Sequence, residues 1–216
     1  KKYFKKPNIK IIENPFEYKK KKKLQIKKKF IYFGRINEIK NIDLIIKAFI
    51  ESEPSSEWSL ELYGIQDDKK YFNYLKDIIK KNNYSKKIFF KEPIFGEQKY
   101  RIISSAWCNV LISKSEILSL SVLESLSVGT PSLVNKHIFF PNWIKKTIFL
   151  SENKILNLKK SFRSIMKMKY STRKSIGDKI IKNFDENYSN ASIKKRYTDY
   201  IKTISKDISF TNYEIK

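Results

Sequence analysis

The chain has 216 residues, 41% hydrophobic and 14% aromatic, which is ample for a packed domain with appendages and excludes a disordered chain. Its 46 basic residues against 22 acidic ones give a net charge of +24, yet only five of the 46 are arginine; nucleic-acid recognition favours arginine forks, so the lysines read as solvated surface and nucleic acid is not an expected partner. No apolar run approaches the roughly 18 residues of a membrane span, and a single cysteine, Cys108, rules out an internal disulfide and any cysteine-rich metal site.

The first residue is Lys1 rather than Met, so the sequence reads as a piece of a longer product or an excised domain. Residues 1–29 form a basic lead-in with two prolines, Pro7 and Pro15, and lysine runs at 19–23 and 27–29. Such a patch reads either as an exposed linker or as a peripheral contact with an acidic membrane surface, and the expected location is the cytoplasm, free or peripheral on the inner membrane face.

A strand–helix rhythm follows. Phe30–Phe33 is an apolar run ending at Gly34, a buried strand. Ile42, Ile45, Ile46, Phe49 and Ile50 repeat at helical spacing. Leu60–Tyr63 ends at Gly64 as a second strand, Phe72, Leu75, Ile78 and Ile79 mark a second helix, and Ile88–Phe90 is a third strand. A short helix over 97–106, a strand at 110–112, a helix starting near Leu118 to Ser121 and a strand from Leu133 continue the alternation. The pattern predicts an α/β fold, a Rossmann-like parallel sheet with helices on both faces, over 30–188. Helices are expected over 153–169 and 172–187, and 189–216 reads as a last helix, with Ile193, Tyr197, Tyr200, Ile201 and Ile204 on one face, plus a tail.

In parallel sheets ligands bind beyond the carboxyl ends of the strands, so the loops starting at Gly34, Gly64, Phe90, Ser113 and Asn135 are the ones to inspect. Gly34 allows close backbone approach, and Arg35 and Lys40 then project two cations at that edge, a pairing suited to a diphosphate. Glu116 and Glu124 stand eight residues apart, about 12 Å along a helix. That is too far to flank one bond and better suited to two grips on a long ligand with a helix start between them as an anion site. Ser121-Val122-Leu123-Glu124 equally matches a capping box, which would make Glu124 a helix-start residue. Gly129 and Pro131 read as the helix stop. The chain carries no G-x-x-x-x-G-K-[ST] or G-x-G-x-x-G, the lone His137 lies past the fifth strand, and neither D-x-D nor a ligand cluster is present, so no metal and no cofactor is expected.

The ordered set IENP (12–15), FIYFGRINEIKNIDLIIKAF (30–49), LELYG (60–64), IFFKEPI (88–94) and VLISKSEILSLSVLESLSVGTPSLV (110–134) resembles the carboxyl-terminal, donor-binding domain of family 4 (group 1) retaining glycosyltransferases, which have the GT-B fold. The E-x7-E pair followed by G-T-P is its sharpest part. The resemblance implies a catalytic set of Arg35 and Lys40 on the donor diphosphate and Glu116 at the donor sugar. It implies donor contacts at Gly34, Leu118, Ser119 and Leu120, with Glu124 on the ribose hydroxyls, and with Lys91, Glu92 and Pro93 bordering the base. Expected partners are a nucleoside-diphosphate sugar, a glycan or lipid-linked acceptor and a missing amino-terminal Rossmann-like domain, without which this chain would bind nucleotide weakly and transfer nothing. Two departures stand out: Ile117-Leu118-Ser119 replaces the family's usual G-F-G, and KHIFFPNWIKK (136–146) replaces a glycine-rich stretch. They leave open a degenerate, non-catalytic sugar-nucleotide or interaction module.

Overall fold

The computed structural model describes residues 24–116 and 119–208, so IENP, the lysine run at 19–23 and Leu118 lie outside the described residues. The chain divides into two compact units, one spanning Lys19–Asn183 and the other including Phe184–Lys216. The first holds a six-stranded parallel sheet: β1 (Lys29–Phe33), β2 (Ser59–Tyr63), β3 (Ile88–Lys91), β4 (Cys108–Leu111), β5 (Ser132–Asn135) and β6 (Phe149–Ser151), in the order β3-β2-β1-β4-β5-β6. The connections run through α1 (Ile42–Glu51), α2 (Lys69–Lys81), α3 (Gly96–Ser104), α4 (Leu120–Ser127) and the short α5 (Asn142–Lys145), and α6 (Ile155–Met166) and α7 (Tyr170–Tyr188) follow. The α/β parallel-sheet expectation is met. The short α5 and the edge strand β6 are additions that the apolar pattern did not announce.

Strand β1 is buried along its whole length, and alternate residues face opposite sides of the sheet. On one side Phe30 stacks on Trp58 and meets Phe49 of α1 and Phe162 of α6 edge-on, with ring centroids 5.2, 6.0 and 4.8 Å away. On the other, Ile31 and Phe33 cluster with Tyr63, Ile103 of α3 and Ala106. These two aromatic and aliphatic layers place helices on both faces. α2 is started by Asp68, whose carboxylate accepts from the Tyr71 N–H at 3.0 Å.

Two devices lock the α4–β5 corner. Gly129 sits at φ +75°, and a Cβ there would lie 2.8 Å from the Gly177 carbonyl oxygen, so the helix stop and α7 touch backbone to backbone. Beside them the buried guanidinium of Arg173 donates to the carbonyls of Trp107 (2.5 Å), Ala106 (3.0 Å) and Gly129 (3.1 Å). Cys108 is a buried free thiol.

In the second unit, α8 (Asn190–Ile208) is started by Ser189, whose Oγ accepts from the Ser192 N–H at 3.2 Å. Of its predicted apolar stripe Ile193 is buried, whereas Tyr197, Ile201 and Ile204 are exposed.

Candidate functional site

Strand β1 pairs with β2 on one side and β4 on the other, so the chain builds the sheet outward from β1 in one direction through β2 and β3 and then, from β4, in the other. A crevice forms at such a reversal, beyond the carboxyl ends of the strands. Here it is a cavity of about 410 Å³ lined by residues from the loops after β1, β2, β3 and β4 and from the start of α4.

The floor is backbone. A Cβ on Gly64 would fall 1.7 Å from the carbonyl oxygen of Gly34, so the loops after β1 and β2 cross at a separation that only glycine at 64 permits. Beneath them the buried Tyr32 hydroxyl donates to the Arg35 carbonyl at 2.7 Å, and burial holds that phenol protonated well above its ordinary range.

The first loop is tied to the fourth by three hydrogen bonds. Lys114 N–H donates to the Ile39 carbonyl (2.8 Å), Ser113 Oγ donates to the same oxygen (3.2 Å), and Asn41 Nδ2 donates to the Ile112 carbonyl (2.9 Å). Asn41 takes the left-handed conformation that asparagine tolerates, ending the single 3-10 turn of residues 38–40 and starting α1. This stitching brings Lys40 to Glu116, and the two form an ion pair in the cavity wall. Arg35 stands at the rim, 66% exposed, its Nε 3.7 Å from Asp67 of the second loop.

Helix α4 starts at Leu120 with Ser119 as its N-cap. The N–H groups of Val122 and Leu123 turn to the Ser119 carbonyl at 3.2 Å, and the first turn, whose leading N–H groups lack intrahelical partners, faces the cavity through Ser119, Leu120 and Ser121. This start position corrects the capping-box expectation: Glu124 lies in the fifth helical position, too far along to reach back. Its carboxylate instead pairs with Lys99 of α3, with Nζ 2.8 Å from Oε1 and 2.6 Å from Oε2. Glu116 lies ahead of the helix rather than within it, so the separation of the two acids is not a helical rise.

The cavity therefore gathers Gly34, Arg35, Lys40, Glu116, Ser119, Leu120 and Pro93. It does not gather Lys91 and Glu92, which are exposed beyond it, or Glu124, which sits behind Lys99. His137 is an exposed loop residue whose N–H donates to Asn135 Oδ1 at 3.1 Å. Sequence reasoning passed over Lys99, because one lysine among so many carries no signal until the fold sets it opposite Glu124. It also passed over Asp67, whose neighbour Asp68 proves to be a helix cap.

The family model for glycosyl transferases group 1 matches residues 14–183. No curated protein matches the chain. Among solved structures the chain is similar to a mutant of TarM from S. aureus in complex with fondaparinux, alpha-GlcNAc-glycerol and UDP, with 22% identity and a TM-score of 0.75 over 91% of this chain and 40% of that one. It is similar to the pneumococcal O-GlcNAc transferase GtfA in complex with UDP and GlcNAc, with 18% identity and a TM-score of 0.67 over 83% of this chain and 36% of that one. A third likeness is the C-terminal domain of the group 1 family protein LpcC from Francisella tularensis, with 20% identity and a TM-score of 0.66 over 78% of this chain and 89% of that one. The chain thus spans 40% or less of the first two proteins and most of the third.

Proposed function

The chain belongs to the group 1 glycosyl transferases, and from that premise we propose that it is the donor-binding half of a retaining enzyme that moves a hexose-type sugar from a nucleoside diphosphate to a glycan or lipid-linked acceptor. The observation that carries the reading is the convergence of Arg35, Lys40 and the first turn of α4 on one cavity at the reversal of strand order. As the bond between the sugar's anomeric carbon and the β-phosphate oxygen breaks, negative charge gathers on the leaving diphosphate. Arg35, the helix start and Lys40, once it has turned from Glu116, stabilise that charge. Glu116 faces the hexose. Lys40 holds Glu116 while the pocket is empty and turns to the diphosphate when the donor arrives. The acceptor is supplied by a further, amino-terminal Rossmann-like domain.

A second reading, a sugar-nucleotide module without catalysis, draws support from Glu124, the acid expected on the ribose, being held by Lys99 outside the cavity lining. Titration of the chain with UDP, GDP and their hexose esters, followed by anomeric analysis of any product made with acceptor sugars, tests both. The donor-half reading requires binding in which the hexose adds affinity to the nucleotide. Binding to which the hexose adds nothing supports the second reading, and robust transfer by this chain alone contradicts the need for another domain.

A further inference from the structure

The loop between β5 and β6 is tied to the loop that carries Glu116 by one buried asparagine. Asn135 Nδ2 donates to the Ser113 carbonyl at 2.9 Å, and Asn135 Oδ1 accepts from the His137 N–H at 3.1 Å. Ser113 in turn donates to the Ile39 carbonyl beside Lys40. The loop after β5 therefore starts next to the end of the cavity that holds Lys40 and Glu116. From there it holds out one ring. Ile138 and Phe140 are buried, 5% and 1% exposed, while Phe139 between them is 59% exposed. Buried Ile144, and a hydrogen bond from Asn183 Nδ2 to the Trp143 carbonyl at 2.8 Å, fix the short α5 that follows. Lys145 and Lys146 come at its end, both exposed, with Lys145 Nζ 5.8 Å from the ring centre of Phe139. No Asp or Glu occurs between Glu124 and Glu152, and Glu152 pairs with Lys136. Among the described residues Lys145 and Lys146 form no ion pair.

An aromatic ring held out of the core beside two uncompensated ammonium groups fits a ligand with an apolar face and an anion. A sugar ring offers its C–H face to the phenyl group, and a phosphate accepts hydrogen bonds from the lysines. A bilayer asks for more. One ring buries too little apolar area to anchor a chain, and the apolar residues on either side of it are already buried. Resting on the reading above that sets the hexose at Glu116, we propose that Phe139, Lys145 and Lys146 form an acceptor shelf and that it receives a phosphate-bearing glycan. The ring stacks on a sugar of the acceptor, the two ammonium groups hold its phosphate, and the rest of the acceptor site lies on the amino-terminal domain. Charge complementarity here selects the acceptor, excluding neutral glycans in favour of anionic ones.

Amide-resolved NMR titration of the 216-residue chain with mannopentaose and with its phosphate monoester, alongside UDP, tests this. The phosphorylated sugar gives saturable shifts at Phe139, Lys145 and Lys146, and the neutral sugar binds there about tenfold more weakly. Lys145→Gln with Lys146→Gln weakens the phosphorylated sugar by about tenfold. Lys179→Gln with Lys182→Gln, which removes the same charge from the exposed face of α7, changes it by less than about twofold. Phe139→Ala removes an exposed ring, so the fold survives, and it weakens the phosphorylated sugar while leaving tripolyphosphate unchanged. Equal affinity for the two sugars, equal losses in the two lysine pairs, an unaffected Phe139→Ala, or binding to phosphatidylglycerol vesicles through these residues in place of the glycan overturns the inference, while UDP shifts at Lys40 and Leu120 keep the donor pocket standing. Absence of those UDP shifts overturns the donor pocket and the acceptor assignment with it.

Discussion

Lys40 and Glu116, 76 residues apart in sequence, meet as an ion pair in the wall of the cavity at the carboxyl edge of the sheet. If the cavity takes the diphosphate proposed above, the pair keeps an acid beside it by neutralising that acid until the ligand arrives. Removing the two partners has opposite consequences. Lys40→Ala weakens UDP binding by about tenfold, because a charge-assisted contact to phosphate is lost and Glu116 is left to repel the ligand. Glu116→Ala leaves UDP binding as strong or stronger and abolishes the gain in affinity that the hexose provides. Calorimetry with UDP and a UDP-hexose checks the order. Equal losses of UDP in both variants contradict the account.

The crossing of the loops after β1 and β2 gives a stability prediction. Gly64→Ala puts a Cβ 1.7 Å from the Gly34 carbonyl oxygen, a backbone clash that no rotamer relieves. It costs about 4 kcal/mol or more and displaces the loop that carries Arg35. Gly96→Ala is the control. Nothing lies within 4 Å of its added Cβ and only its φ of +59° is strained, so it costs about 1–2 kcal/mol. Denaturant unfolding of the two variants measures the difference.

Arg173 bonds three carbonyls from inside the protein, 2% exposed. Arg173→Met leaves those carbonyls without donors at the entry to β4 and the turn before β5, and about 3 kcal/mol of stability is lost. Arg173→Lys does not restore it, since one ammonium cannot span the fork. Thermal melts of the two variants falling together, well below the wild type, are expected.

Alkaline pH weakens the fold. Burial pushes the Cys108 thiol from its ordinary 9.0 up to about 12, moves the Tyr100 phenol up to about 12, and raises Tyr32, Tyr63 and Tyr71 further. Between pH 9 and 12 the unfolded chain releases protons that the fold keeps, so stability is full below about pH 9 and falls as pH rises through that window. Arg173, lowered to about 10 by burial, acts in the opposite sense above that pH but is one group against the thiol and several phenols. Denaturation midpoints near pH 7.5, 9 and 10.5 should fall steeply only over the last interval. At pH 8 Cys108 should react with a disulfide reagent only after unfolding.

Much of this organisation was legible in the sequence. Strands β1 to β5 end at punctuation that physics requires, Gly34 and Gly64 most clearly, and the stripe Ile42, Ile45, Ile46, Phe49 fixes α1 within a residue. Strand β6 was not legible, because three residues at a sheet edge are too short for a period. The convergence of Arg35 and Lys40 on one edge followed from strand–loop order. The pairing of Glu116 with Lys40 and of Glu124 with Lys99 did not, since each depends on how two loops or two helices lie together. Ser121 to Glu124 had the spacing of a capping box, but the helix begins one residue before Ser121, and that single step sends Glu124 to α3 instead.

The central claim is that the cavity beside β1 and β4 takes a nucleoside diphosphate. The most direct test is an amide-resolved NMR titration of the chain with UDP. The account predicts saturable shifts at Gly34, Arg35, Lys40, Leu120 and Ser121, reduced in Lys40→Ala. Shifts confined to the lysine-bearing face of α7, at Lys174, Lys179 and Lys182, and lost in high salt would contradict it, as would no shifts at all.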